Sequence, residues 1–358
     1  MKRVAFAVAA LLAILSPGAG ALAQNFRPEV GADFMYHFDN REFAYSGDAI
    51  TPSGTIHAAV LVPTAGILVQ QSDNVQHRLR AGVEFAHDMG SQTWTDFFRE
   101  VLFYYDGRVK TDRGVFEGVA GVFPRRFLEG AYSEAFFSDS FTFYDRNLEG
   151  ILLKWRSERF RAEFACDWMG QFGYERKERF QLVSSGSWEP VPLFTLGWTG
   201  SFYHYACSVV SPGVVDNHML EPWAKLSLPG SAWQELSIQA GLIATYQWDR
   251  KQMSAPTLPL GGEFVFTARA LDIMLQNSAY VGQNLLPLYD KTDLASNIYG
   301  SDLYFGQPFY TGFYDRIELA WTPRISRLVS LRLSARAHFS AAGFLGWQQL
   351  VSLRFNFP

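Results

Sequence analysis

Arginine side chains occupy alternate positions in several stretches of the chain, a spacing that places them on one face of a β-strand. Between Val329 and Ser340 the even positions carry Arg332, Arg336 and His338, while most odd positions are apolar. Guanidinium groups that face a water-filled space favour anions, so such a face could select solutes by charge. Across all alternating stretches the polar faces carry eight arginines and four carboxylates, namely Arg78, Arg80, Arg159, Arg161, Arg316, Arg332, Arg336 and Arg354, with Glu84, Glu163, Asp167 and Glu318.

These charged side chains have two interpretations. They can create a positive lumen, or they can form ion pairs that tie neighbouring strands together, as Arg316 and Glu318 could across a sheet. Arg332 and Arg336 are expected to face water. Replacing both by Glu should then shift an ion preference toward cations while the chain still folds.

A second set of charged residues lies in the segment 124–147, where the alternation is absent. Aromatic residues are mixed with the charges there, and the candidates for narrowing a lumen are Arg125, Arg126, Asp139, Asp145 and Arg146. The stretch 288–310 has a similar mixture of aromatic and acidic residues. Such segments could constrict a pore, stack on sugar rings, or pack on each other over the end of a barrel.

The elements that must position these residues are β-strands with one dry and one wet face. The stretch 236–249 places Leu236, Ile238 and Leu242 on one face and polar or small residues on the other, where Ile243 is the apolar exception. A soluble sheet would need other segments to cover so many apolar faces, whereas lipid covers them in a membrane barrel.

The composition and the first residues also favour an exported membrane barrel. Aromatic residues make up 16% of the chain, and past the first 23 residues no apolar run is long enough for a membrane-spanning helix. Lys2 and Arg3, an apolar run to Leu15 and a small-residue site ending at Ala23 predict a cleaved signal peptide over 1–23 and a single barrel domain over 24–358. Without Lys2 and Arg3, 29 basic residues face 35 acidic ones, a balance of −6 that argues against nucleic-acid binding.

The alternation predicts about 14 antiparallel strands, with 12 or 16 as alternatives. The longest connections (39–53, 124–147, 171–192 and 276–309) then all lie on the extracellular side, and the short turns lie on the periplasmic side. Two periplasmic connections, 207–218 and 250–262, are longer than expected, and we expect a misassigned strand to lie at one of them. The predicted strands are 29–38, 54–71, 76–89, 96–107, 113–123, 148–157, 159–170, 193–206, 219–228, 235–249, 263–275, 310–321, 327–340 and 346–357.

With its signal peptide, alternating strands and aromatic final strand, the chain resembles the outer-membrane β-barrel proteins of Gram-negative bacteria. The segment from Gln349 to Phe357 is similar to the C-terminal signal that the barrel-assembly machinery recognises, although Pro358 follows the last aromatic residue. The resemblance concerns architecture and matches no characterised family. It implies an all-β transmembrane barrel in the outer membrane, in contact with lipid and with the assembly machinery during biogenesis.

The function that fits best is a porin-like channel for small polar or anionic solutes. The alternative is a non-conducting surface barrel that binds a glycan or a partner protein through its long loops. An enzyme is not expected: His338 and Ser340 have the spacing of the outer-membrane phospholipases, but His338 should point inward and the Asn-Gly that follows the serine in that family is missing. No cofactor is implied, and Cys166 and Cys207 lack the spacing of a metal site.

Overall fold

The computed structural model describes residues 25–43, 53–91, 97–210, 213–230, 232–288 and 311–357. The predicted signal peptide and most of the stretch 288–310 lie outside them. Within the described residues no helix is long and apolar enough to cross a membrane.

Sixteen antiparallel strands form a closed barrel in which every strand pairs with its neighbours in sequence and β1 pairs with β16. They are β1 (Asn25–Phe43), β2 (Gly54–Ser72), β3 (Val75–Asp88), β4 (Phe98–Thr111), β5 (Gly114–Pro124), β6 (Asn147–Arg156), β7 (Phe160–Gly170), β8 (Glu178–Val191), β9 (Phe194–Ala206), β10 (Val215–Ser227), β11 (Glu235–Asp249), β12 (Leu260–Ala270), β13 (Ile273–Gly282), β14 (Gly312–Trp321), β15 (Val329–Ser340) and β16 (Gly343–Phe357). Two helices lie between β5 and β6, a 3-10 turn at Arg125–Phe127 and α1 at Asp139–Tyr144.

The expected count of about 14 strands is wrong because two strands were missed. The first is β8, in the segment assigned to an extracellular connection over 171–192. Its inward side chains include the polar residues Gln181 and Ser185, and its outward face includes the small residues Ser184 and Gly186. Since neither face is consistently apolar, the period of two is weak in this strand.

The second missed strand comes from a hairpin hidden inside the predicted strand 263–275, which the structure divides into β12 and β13. The turn consists of Leu271 and Asp272, which both have positive φ, 52° and 64°. This is the geometry of a tight two-residue hairpin, which usually carries Asn or Gly. With leucine in the first position, the turn has no recognisable sequence signal.

The two corrections also explain the long connections at 207–218 and 250–262. The missed strands do not lie at these two connections. Because β8 precedes both in the chain, each connection moves to the opposite end of the barrel, and because the missed hairpin follows both, the later connections keep their predicted end. We call the end with the connections 125–146, 207–214 and 250–259 the loop end, and the end with the turns 73–74, 112–113, 192–193 and 271–272 the turn end.

Alternate side chains on the strands face outward and inward, as the period of two requires. In β11, Ile238 and Leu242 are exposed on the outside while Ser237 and Thr245 are buried inside. This outward belt is covered by no other part of the described chain, and it includes Leu61, Ile67, Leu79, Val101, Phe103, Ile151, Phe164, Phe264, Leu275 and Leu319.

Candidate functional site

The segment 125–146, which we call the inserted loop, folds into the barrel instead of extending from its rim. Pro124 closes β5 in an extended conformation, and the chain then turns inward through the 3-10 helix. Further on, the Ser138 hydroxyl caps α1 by accepting a hydrogen bond from the Phe141 amide (3.1 Å). Phe136 and Phe141 are almost completely buried, so apolar burial favours the inward path.

On the β7 side, the inserted loop is held by a buried arginine and a buried carboxylate. Arg125 pairs with Asp167 on β7 (2.7 Å) and with Asp145 of the loop itself (2.9 Å). Glu163, also on β7, accepts hydrogen bonds from two loop amides and from the Tyr132 hydroxyl (2.9 Å). Burial next to Glu163 raises the pKa of the Tyr132 phenol, which therefore stays protonated and donates.

On the β14 and β15 side, the attachment is a cluster of arginines and carboxylates. Arg336 on β15 pairs with Asp139 at the start of α1, with Glu134 (3.2 Å) and with Glu318 on β14 (3.2 Å). Arg316 on β14 also pairs with Glu134. Burial alone would raise the pKa of the Asp139 carboxyl, but the Arg336 guanidinium lowers it below its ordinary value.

Further contacts complete the attachment on the side of β1 to β4. Arg146 pairs with Glu84 on β3 (2.6 Å), and the Phe143 ring stacks on His37 of β1 with 4.8 Å between ring centres. Arg41 of β1 donates a hydrogen bond to the Ser140 hydroxyl. These contacts join the inserted loop to β7 on one side of the barrel and to β14, β15, β1 and β3 on the opposite side.

An apolar cluster lies in the lumen near the loop end, mostly on the side of β9 to β14. Phe136 and Phe141 of the inserted loop pack there with Leu285 and Leu286, which follow β13. Ile243, the apolar exception on the polar face of β11, is fully buried in this cluster. The wall contributes Tyr203, Tyr205, Val215, Met219, Tyr280, Tyr314 and Leu345.

A cavity of about 530 Å³ remains between the inserted loop and the strands β1 to β4, β15 and β16. Its charged lining consists of six arginines and three carboxylates. Three of these arginines, Arg125, Arg332 and Arg336, also pair with carboxylates outside the lining. The arginines are Arg125, Arg126, Arg146, Arg332, Arg336 and Arg354, and the carboxylates are Asp33, Glu84 and Asp139.

The structure separates the other predicted lining residues from this cavity. Arg78 and Arg80 share Glu29 near the turn end (2.8 and 3.0 Å). Arg161 and Glu163 line a second cavity of about 210 Å³ on the other side of the inserted loop. Arg159, counted among the alternating arginines, is exposed in a turn.

The expectation that Arg336 faces water is also corrected. Its side chain is 5% exposed and lies under the inserted loop, whereas the Arg332 side chain is 37% exposed. Arg332 pairs with Glu318, so the carboxylate expected to serve Arg316 is instead shared by Arg332 and Arg336.

Sequence reasoning missed the polar residues of β1: Asp33 lies inside the predicted strand 29–38, and Asp39 and Arg41 lie beyond its predicted end. Asp33, Asp39 and Arg41 lie on the inner face of this strand, and all three make ion pairs. Their odd-numbered spacing continues the alternation of the strand and is the signal that could have identified them. Glu134, one of the charged residues of the segment 124–147, was not among the constriction candidates, and the sequence could not predict its partners because a loop residue has no periodicity.

The chain is similar to known proteins in its structure but not in its sequence. No family model and no curated protein sequence matches it. Among solved structures, OmpF of Salmonella typhi in complex with daunomycin superposes with a TM-score of 0.50 at 8% identity, covering 92% of this chain and 97% of that one. A mutant porin of Rhodopseudomonas blastica has a TM-score of 0.45 at 11% identity, covering 92% of this chain and all of that one. The superposition on OmpF and the closed 16-stranded barrel show that the chain has a porin-like fold.

Proposed function

We propose that this protein is a porin-like channel of the bacterial outer membrane that passes small solutes by diffusion and favours anions over cations. The observation that carries the proposal is the arginine-rich cavity beside the inserted loop of a 16-stranded barrel, where Arg126 and Arg354 share the single carboxylate of Asp33. Barrels of 16 to 18 strands are wide enough for an aqueous channel, and the sign of the lining charge sets the ion preference.

The outward belt of exposed leucine, phenylalanine and valine side chains supports a membrane location, because lipid would cover these apolar side chains and water would not. Short turns at one end and longer connections at the other support an orientation with the turn end in the periplasm. Export through the predicted signal peptide 1–23 and insertion by the barrel-assembly machinery belong to this proposal.

Planar-bilayer recordings of the refolded chain lacking residues 1–23 test the proposal. Stable conductance steps on the order of tenths of a nanosiemens in molar salt are expected for a water-filled pore. Under a salt gradient, the reversal potential should show a preference for the anion. A preference for the cation would contradict the proposed selectivity, and a folded barrel without conductance would contradict the channel.

The apolar cluster and the attachment of the inserted loop on opposite sides of the barrel favour a second candidate function. In that case the lumen stays closed, and the loop-end surface binds a glycan or a partner protein. Such a barrel would be folded and heat-modifiable on a gel but silent in the bilayer, so the same recordings distinguish the two functions.

A further inference from the structure

The cavity beside the inserted loop has two chemically different sides. Arg332 on β15 and Arg354 on β16 lie on one side, joined by Arg126 of the inserted loop. Val60 and Val62 on β2 begin the other side. It continues with the apolar residues Leu102 on β4 and Leu128, Phe137 and Phe143 of the inserted loop. The charges on this side, Glu84 on β3 and Arg146 of the loop, pair with each other. Met35 on β1 lies between the two sides.

The arginine side has more positive charge than its carboxylates balance. Asp33 is the carboxylate shared by Arg126 (2.8 Å) and Arg354 (3.5 Å), so two guanidinium groups face one negative charge. Among the described residues, Nε of Arg354 is buried without a hydrogen-bond partner, and its Nη2 contacts only the Met35 sulfur at 3.5 Å. A carboxylate that entered the cavity could accept from this guanidinium and neutralise the excess charge.

The apolar side is unusual for the inner face of a water-filled barrel. On β2 the inward residues Ile56, Ala58, Val60 and Val62 are all apolar. The outward residue Leu61 is apolar as well, so both faces of this strand are apolar there. Ile56, Ala58 and Val60 pack around Phe143 toward the loop end, while Val62 is half-buried at the cavity. An apolar group bound there would replace water against this wall.

We infer that this cavity binds small organic carboxylates that carry an apolar body, such as benzoate, and the inference rests on the proposed function for its role in permeation. The carboxylate lies at Arg354 and Arg126, and the apolar body lies against Val62 and Leu128, which are only partly buried. At about 530 Å³ the cavity is within the range of small-molecule sites. An inorganic anion would use only the arginine side, and a neutral alcohol only the apolar side.

Calorimetric titration of the refolded barrel in detergent tests the binding without requiring conduction. Three probes separate the two sides: benzoate has both features, acetate has the charge with almost no apolar body, and benzyl alcohol has the ring without the charge. Benzoate should bind about tenfold more tightly than either of the others. Equal binding of benzoate and acetate, or of benzoate and benzyl alcohol, would overturn the inference.

Two variants locate the site, and both are followed by gel mobility to establish that the barrel is folded. Arg354→Gln should weaken benzoate binding about tenfold, the usual effect of losing a hydrogen bond between charged groups. Val62→Thr keeps the size and strand preference of the residue, and it should weaken benzoate while leaving acetate unchanged. Arg113→Gln, which removes an equal charge from an exposed turn, is the matched control and should change neither. If Arg113→Gln acts as strongly as Arg354→Gln, the effect is one of net charge and the cavity is not the site.

The bilayer experiment separates this inference from the proposed function. In a conducting channel, millimolar benzoate should reduce the chloride current of the unchanged protein more than that of Val62→Thr. A barrel that binds benzoate but never conducts would contradict the channel and support the site. A barrel that conducts chloride but does not distinguish benzoate from acetate would support the channel and contradict the site.

Discussion

Asp139, at the start of α1, pairs with Arg336 on β15, 197 residues further along the chain. Arg336 is buried and also faces Glu134 and Glu318, so one guanidinium connects the inserted loop to two strands of the wall. This contact is one of those that hold α1 across the lumen, together with the hydrogen bond from Arg41 to Ser140.

Removing this ion pair should loosen the inserted loop. In Asp139→Asn the attachment of α1 should weaken by about 1–3 kcal/mol, because the side chain of Asp139 keeps 31% exposure and is not a fully buried charge. Single-channel recordings should show larger or noisier conductance, while the heat-modified gel mobility of the barrel stays unchanged. The matched control is Asp112→Asn in an exposed turn. Unchanged current in Asp139→Asn would mean that α1 does not limit the pore.

Acid should weaken the same attachment, and the sign follows from the pKa. Burial raises the pKa of Asp139, but Arg336 and Arg41 together lower it below 3.8. Glu129 of the inserted loop pairs with Lys154 (2.8 Å) and Arg156 on β6, and these two cations together lower its pKa below 4.5 against the same effect of burial. A carboxyl with a lowered pKa stabilises the folded state above its ordinary pKa, and this contribution is lost as pH falls through the folded-state pKa.

Current recorded between pH 7 and pH 3 should therefore stay constant down to about pH 4 and become noisy only below it. Asp139→Asn should remove part of this acid response. A transition near pH 6 would instead require a histidine.

Removing the arginines that pair with Asp33 and removing Asp33 itself should move the ion preference in opposite directions. Arg126→Gln with Arg354→Gln leaves four arginines against three carboxylates at the cavity, so the anion preference should fall toward unity. Asp33→Asn leaves six arginines against two carboxylates and should increase it. Reversal potentials under a salt gradient measure both variants. If both variants shift the potential in the same direction, this cavity is not on the ion path.

The turn at Leu271 offers a test of the strand count. Leu271 has a φ of 52° and is 87% exposed, so Leu271→Asn should stabilise the β12–β13 hairpin by about 0.5–1 kcal/mol, because asparagine tolerates this conformation. Leu271→Val should destabilise it, since a β-branched residue does not. Thermal unfolding of the two variants checks the order. In a continuous strand over 263–275, valine would be favourable and asparagine unfavourable.

Much of the fold could be predicted from the sequence alone. The period of two in β11, β15 and β16 indicates strands with one apolar and one polar face, and this local pattern is enough for an antiparallel barrel. The segment 124–147 is distinguished by losing the pattern while it keeps charges and aromatic residues. Ile243, the apolar exception on the polar face of β11, marks the point where the apolar cluster packs against the inner wall.

Tertiary structure decided the strand count and the site. The pattern is weak in β8, and the turn at Leu271 and Asp272 lacks the usual residues, so neither is visible in a local window. The partners of the charges are also non-local: Arg336 meets Asp139, and Arg126 meets Asp33, only because the barrel closes and the inserted loop folds into it. Alternation determines which face a side chain occupies, but closure of the barrel determines which side chains meet across the lumen.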